Sequence, residues 1–396
     1  MKILAIHNFH RSGSASGDDQ VFKSETALLE AHGHTVIRYT VINDSFDRAG
    51  AWGKLRAAFG MLWSFRHGRA VRALIRRERP DVVHIHTFFP LLSPSVLYAA
   101  HRSGVPVVAT LHDTRFICPC ATSLRGTTLC NECGDGHYFR MCKYRCFKGS
   151  RLQSTLVAFI FKYHRLRRSF YKYIDRYICL NDNQMHLLRE VGFDPKKMVK
   201  KYNFVPDAEA NAEAEKPHDL PDRYAVFYGR IGAEKGIRML MQIWAQLPDI
   251  PLVVMGGGPL EDEFREWAAQ HPNVFFLGYT PHKQCLSIVK CGEFVVFPSI
   301  WYEGCSMVEI EAESLGKPLI ATDLGFSAEA VTDGINGYKV PLGDTDGFVR
   351  TIRALWADPA ICRAMGARAR ADYEAKYRPE ENYRQLAEIY KKTMGQ

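Results

Sequence analysis

No stretch of this 396-residue chain is apolar for long enough to cross a bilayer. The nearest approach, residues 82–101, is uncharged, but two prolines and three histidines interrupt it. The opening run Met1-Lys2-Ile3-Leu4-Ala5-Ile6-His7 passes at once into polar residues, the pattern of a first strand and not of a secretion signal. Low-complexity tracts and short tandem repeats are absent. With 46% hydrophobic and 24% charged residues, disorder, collagen and small disulfide scaffolds are excluded. Acidic residues are scarce in one half only. Residues 1–200 carry 31 Lys+Arg against 15 Asp+Glu, whereas residues 201–396 carry 21 against 28, so the total of +9 hides a strong asymmetry.

What is present is an alternation of short apolar runs with helix-length amphipathic stretches. Strands are expected at residues 2–7, 35–39, 81–86, 106–111, 177–180 and 198–205, with helices such as 20–32, 95–103 and 182–191 between them. Residues 206–222 break the rhythm with three prolines and an Ala/Glu-rich composition, as a linker does. It then restarts, with strands at 223–229, 251–255, 274–277, 294–297 and 318–322, and ends in purely helical periodicity over 345–394. The fold class is therefore α/β, two doubly wound parallel sheets in tandem, whose ligands belong at the carboxyl ends of the strands, in a cleft between the domains. The expected domains are 1–205, with a cysteine-rich insert at 113–149, and 223–375. Residues 376–396 form a last helix able to return to the first domain.

Three loops of the second domain carry phosphate-binding chemistry. Gly229-Arg230-Ile231-Gly232-Ala233-Glu234-Lys235-Gly236 follows a strand and offers two cations to a diphosphate. Gly256-Gly257-Gly258-Pro259 lies between a strand and a helix. Trp301-Tyr302-Glu303-Gly304-Cys305-Ser306-Met307-Val308-Glu309-Ile310-Glu311 follows another strand. A helix starting near Cys305 leaves the N–H groups of Ser306, Met307 and Val308 for an anion. Glu303 and Glu311, at two depths, suit hydroxyls on either side of a diphosphate, whereas Glu309 and Glu313 are expected as solvated helix-surface charges. Asp344-Thr345-Asp346 mimics a metal-binding triplet, but the expected role of Asp344 is to cap a helix.

These residues resemble the family-4 retaining glycosyltransferases of the GT-B fold. Glu303 and Glu311 match the family's pair of glutamates, and Arg230 and Lys235 match its diphosphate-binding pair. Phe297-Pro298-Ser299 and Gly316-Lys317-Pro318-Leu319-Ile320-Ala321-Thr322-Asp323 match its flanking pattern. The resemblance implies that Glu311 holds the nucleotide ribose, that Arg230 and Lys235 hold the diphosphate, and that Glu303 contacts the donor sugar. In the first domain it extends to Ser16-Gly17-Asp18-Asp19, which places Gly17 near the donor phosphates, and to Glu25. It also makes His112, at a strand's carboxyl end, an active-site contact. His84 and His86 are expected to be structural or to line the acceptor.

The resemblance is to a branch with cysteines at Cys118, Cys130, Cys133 and Cys146; Cys120 and Cys142 are extra. Cys130-Asn131-Glu132-Cys133 has the spacing of half a tetrahedral zinc knuckle. Four thiolates, or three with His137, would close a structural zinc site. Buried small hydrophobes or redox-labile thiols are the other reading of the same residues.

Positive charge concentrates in two segments interleaved with aromatics. Residues 48–79 hold nine Lys+Arg and one Glu, and residues 136–174 hold ten Lys+Arg with no Asp or Glu. Such segments suit an anionic membrane surface. The resulting expectation is a cytoplasmic glycosyltransferase, peripheral at the inner face of the membrane. It moves a sugar from a nucleotide-diphosphate sugar to a lipid-linked or polysaccharide acceptor, with retention, in cell-surface glycan synthesis. It requires no catalytic cofactor and binds no nucleic acid. The competing reading is a non-catalytic nucleotide-sugar or nucleic-acid binding module with a structural zinc site.

Overall fold

The structure, a computed structural model, describes residues 1–10, 16–44, 59–206 and 215–395. Residues 11–15, much of the first basic segment (including Trp52) and residues 207–214 of the expected linker lie outside the described residues. The chain forms two compact units. One comprises Met1–Arg125, Cys130–Tyr202 and Tyr383–Gln396, and the other Gly126–Leu129 and Asn203–Asn382.

The first unit is built on strands β1 (Lys2–Phe9), β2 (Thr35–Ile42), β3 (Val82–Ile85), β4 (Val107–Leu111), β5 (Arg176–Cys179) and β6 (Met198–Lys200). All pair in parallel, in the order β2-β1-β3-β4-β5-β6. Strands β3 and β4 are buried throughout, which explains their unbroken apolar runs, while the edge strand β2 alternates in exposure. The expected strand 198–205 stops at Lys200, and the next residues run as buried irregular chain.

Helices α1 (Gly17–Ala31), α2 (Phe65–Glu78), α3 (Ser95–Arg102), α4 (Arg151–Leu166) and α5 (Asp182–Glu190) connect these strands. Because β1 leads leftward to β2 and every later step leads rightward, right-handed crossovers place α1 on one face and the other four on the opposite face. On the α1 face, Ile3, Val82, Val108 and Ile178 from four adjacent strands pack against Leu29 of α1. Leu386, Ile389 and Tyr390 close the same cluster.

The second unit carries β7 (Ala225–Tyr228), β8 (Leu252–Met255), β9 (Val274–Gly278), β10 (Val295–Phe297), β11 (Leu319–Thr322) and β12 (Gly337–Val340). Their order is β9-β8-β7-β10-β11-β12, again all parallel. Strand β12 was not expected, because a four-residue strand of Gly-Tyr-Lys-Val has no apolar run to announce it. The helices are α6 (Ile237–Trp244), α7 (Glu261–Ala268), α8 (His282–Cys291), α9 (Met307–Ser314), α10 (Thr345–Ala357) and α11 (Pro359–Lys376), while α12 (Pro379–Met394) belongs to the first unit from Tyr383 onward. The strand order reverses between β7 and β10, and a doubly wound sheet binds its ligand at that reversal.

Candidate active site

Three loops of the second unit converge at the carboxyl ends of β7, β8 and β10. Gly256 takes a φ of +137°, and a side chain there would overlap the carbonyl oxygen of Gly229. Gly236, at φ +72°, is pressed in the same way against the carbonyl of Pro298. These glycines let the loops after β7, β8 and β10 touch backbone to backbone.

That packing brings Lys235 to Glu303. Lys235 Nζ lies 2.7 Å from Glu303 Oε1, and Ser299 Oγ donates to the same oxygen at 2.7 Å. The ammonium also lies 5.2 Å from the Phe297 ring centroid and 5.6 Å from that of Trp301. Arg230 is different: its side chain is mostly exposed and meets Glu234 at 3.4 Å. One cation is thus held in place and the other is free to swing.

Helix α9 begins at Met307 with Ser306 as an extended N-cap, so the N–H groups of Met307 and Val308 precede the first intrahelical bond, Ile310 N–H to Ser306 O. Glu311 is one turn deeper and buried. Its Oε1 lies 2.9 Å from His282 Nε2, at the start of α8. Tyr228, at the end of β7, lies alongside Glu311, and its hydroxyl donates to the Val308 carbonyl at 2.8 Å. His282 escaped the sequence reading. Its signal was Pro281, a helix-start residue that places the next side chain at the carboxyl edge of the sheet.

Glu309 and Glu313 correct the expectation of solvated charges, because both are fully buried. The reason is tertiary: α9 is enclosed, with Arg370 of α11 donating to the Ser314 carbonyl at 2.7 Å. Burial pushes the Glu309 carboxyl up to about 8, and neither of its buried oxygens has a hydrogen-bond partner among the described residues. Burial, with Asp372 nearby, raises Glu313 well above the carboxylate range. Asp344 caps α10 by accepting the Gly347 N–H at 2.8 Å.

In the first unit, a chain of buried polar groups runs from α1 to the ends of β3 and β4. Lys201 Nζ meets Glu25 Oε2 at 2.8 Å. Glu25 Oε1 meets His86 Nε2 at 3.1 Å and His84 Nδ1 at 3.3 Å. His86 Nδ1 lies 3.0 Å from His112 Nε2. The Tyr390 hydroxyl, from α12, reaches His84 Nδ1 at 2.7 Å. Burial opposes ionisation of Glu25, but Lys201 and the histidines hold it well below the usual carboxylate range. Burial pushes His84, His86 and His112 each down to about 4.

Burial keeps His86 and His112 neutral, so one of the two facing ring nitrogens donates to the other. Asp18, half-buried at the start of α1, is disfavoured as an anion by desolvation, but the nearby His112 and His10 lower its carboxyl overall. Gly17 opens α1, and a side chain there would meet nothing within 4 Å. Lys201 escaped the sequence reading because residues 198–205 read whole as a strand, in which Lys200 and Lys201 look alike.

Cys118, Cys120, Cys130, Cys133 and Cys146 line one small pocket. A hydrogen bond from Cys120 lowers Cys118 to about 6, and burial pushes Cys133 up to about 12. His137 points away to solvent and pairs with Asp135 at 3.0 Å, so the three-thiolate-plus-histidine arrangement is not formed. Among the described residues, the one trio of metal-ligand types with donor atoms all within 4.8 Å is Glu25, His84 and His86. Lys201 already supplies the cation there. The sulfurs share a pocket but are not drawn together to that distance.

Two family profiles together span most of the chain: Glyco_transf_4, described as Glycosyltransferase Family 4, over residues 26–209, and Glycosyl transferases group 1 over residues 209–372. The chain belongs to glycosyltransferase family 4. Its fold is GT-B. This glycosyltransferase is 28% identical to the alpha-D-kanosaminyltransferase of Streptomyces kanamyceticus over 87% of its own length and 84% of that protein's. It is 26% identical to the glycogen synthase of Mycobacterium tuberculosis, over 78% and 71% of the two chains. Among solved structures, HepE of Anabaena in complex with UDP superposes with a TM-score of 0.67 at 17% identity, covering 98% and 99% of the chains. Sucrose-phosphate synthase of Thermosynechococcus elongatus gives 0.69 at 20% identity, over 100% and 99%.

Proposed function

We propose that this glycosyltransferase moves a sugar from a nucleotide-diphosphate sugar to a lipid-linked or polysaccharide acceptor in cell-surface glycan synthesis, retaining the anomeric configuration. The observation that carries the reading is the buried Lys235–Glu303 pair beside the N-terminus of α9, with Glu311 on that helix held by His282. The crystal structure of Anabaena HepE in complex with UDP and glucose supports a nucleotide-sugar donor.

Glu311 and His282 would take the ribose hydroxyls. Arg230, Lys235 and the N–H groups of Met307 and Val308 would hold the diphosphate, where negative charge develops as it departs. With the diphosphate bound, Lys235 is shared between phosphate and Glu303, and Glu303 is free to accept from the donor sugar. His112, whose Nε2 is engaged by His86, keeps Nδ1 for a further sugar hydroxyl. The bond from the anomeric carbon to the diphosphate oxygen breaks as the acceptor oxygen bonds to that carbon on the same face. The acceptor's proton passes to a diphosphate oxygen, so no enzyme nucleophile is consumed. In this reading the protein works at the inner face of the membrane, on the side where nucleotide sugars are found.

A structural zinc ion at Cys118, Cys130, Cys133 and Cys146 belongs to the same reading, supported by their common pocket. Purified protein carrying much less than one zinc per chain would remove it. The donor site is tested by a panel of nucleotide sugars scored for thermal stabilisation, with and without Glu303→Ala. Stabilisation by one nucleotide sugar, and loss of transfer in the variant, is expected. Full transfer by Glu303→Ala would overturn the site.

A further inference from the structure

Helix α4 carries large apolar side chains where a soluble helix carries charge. Leu152, Leu156, Phe159, Tyr163 and Leu166 are 81%, 37%, 52%, 37% and 72% exposed. At 3.6 residues per turn they fall within an arc of about 80°. The opposite side, through Val157, Ile160, Phe161 and His164, is buried. His164 Nε2 lies 2.9 Å from the Leu62 carbonyl, so the helix is pinned by its inner side and the stripe faces outward.

The charge around this stripe is predominantly positive, with Asp135, paired to Arg140 at 2.9 Å, as a carboxylate at its margin. Residues 136–174, which contain α4, hold ten Lys+Arg and no Asp or Glu. On the same face of the sheet, Arg72, Arg76, Arg79 and Arg102 line a groove of about 450 Å³ at the ends of α2 and α3, with no acidic residue in its lining. Tyr98 of α3 links the two regions. Its ring lies 5.5 Å from that of Trp63 and 5.4 Å from that of Tyr173, just beyond α4. Phe59 and Phe65, three residues either side of Leu62, are both 67% exposed.

We propose that this outer layer of α2, α3 and α4 docks on an anionic phospholipid surface, the α4 stripe entering the headgroup–acyl boundary and the arginine groove binding lipid phosphates. An apolar stripe flanked predominantly by cations is complementary to that surface. A second copy of this basic face would repel it, and a nucleic acid leaves the stripe uncovered. The inference goes beyond the donor-site reading and does not depend on it.

The test is co-sedimentation of the full-length protein with vesicles of phosphatidylcholine alone or mixed equally with phosphatidylglycerol, at low and high salt. Binding to the anionic vesicles, weakened by salt, is expected. Leu152→Ser/Phe159→Ser/Leu166→Ser should lose on the order of tenfold in affinity at unchanged Tm, since these side chains are already in solvent. Arg72→Gln/Arg76→Gln/Arg102→Gln should lose binding and its salt dependence together. Three results would each overturn the proposal: no binding to anionic vesicles, wild-type binding by the stripe variant, or a dimer in light scattering that the stripe variant dissolves. Nucleotide-sugar stabilisation of the same variants keeps failure here distinct from failure of the donor site.

Discussion

Lys235 and Glu303, 68 residues apart in the chain, form a buried ion pair of 2.7 Å between the loops after β7 and β10. A carboxylate and an ammonium held together in this way are poised to divide between a sugar and a phosphate. Removing either partner strands the other. We expect Glu303→Gln and Lys235→Ala each to lower transfer by about 10²-fold or more. The double variant should be much less than multiplicative, because the pair acts as a unit. Initial rates on a single donor, with thermal melts to confirm folding, check this.

His282 is expected to affect donor binding and not the chemical step, because it touches Glu311, the residue proposed to hold the ribose. His282→Ala should raise the donor KM about tenfold with little change in kcat. A fall in kcat with unchanged KM would move His282 to the reacting centre.

Buried acids and histidines give stability a limit on each side. His84, His86 and His112 titrate near 4 when folded, below their ordinary value of 6.5, so the unfolded chain binds more protons between these values. Their contribution is complete above about pH 6.5 and is lost as pH falls toward 4. Glu309, raised to about 8, has the opposite sign: its contribution is complete below about pH 4.5 and is lost as pH rises toward 8. Glu309→Gln should therefore raise Tm relative to the parent at pH 8–9 and change it little at pH 5. Melts across that range decide.

In the proposed site, Arg230, Lys235 and the α9 N-terminus would supply the positive charge that a departing diphosphate needs. Transfer is expected to survive EDTA at undiminished initial rate. Complete loss, restored by magnesium or manganese, would reassign the diphosphate to a metal. A parallel melt separates this from loss of a structural zinc.

Much of the fold was legible locally. Apolar runs four to six residues long, punctuated by Gly and Pro, marked most of the parallel strands, because a strand covered on both faces needs no alternation. The carboxyl-end loops were legible for the same reason: Gly229, Gly236 and Gly256 must let backbones meet, and no other residue can stand there. Strand β12 was not, being too short and too polar to register.

Taken alone, the sequence determined two doubly wound sheets, the family, and the positions of Glu303 and Glu311 around one helix start, since all of these depend on spacing along the chain. Only the tertiary structure decided which charges meet. Lys201 and Glu25 are 176 residues apart, and Tyr390 and His84 are 306 apart. Burial, which local pattern does not report for a polar residue, turned Glu309 and Glu313 from surface charges into neutral acids. It also holds His84, His86 and His112 below the ordinary histidine range, because a desolvated imidazole resists protonation.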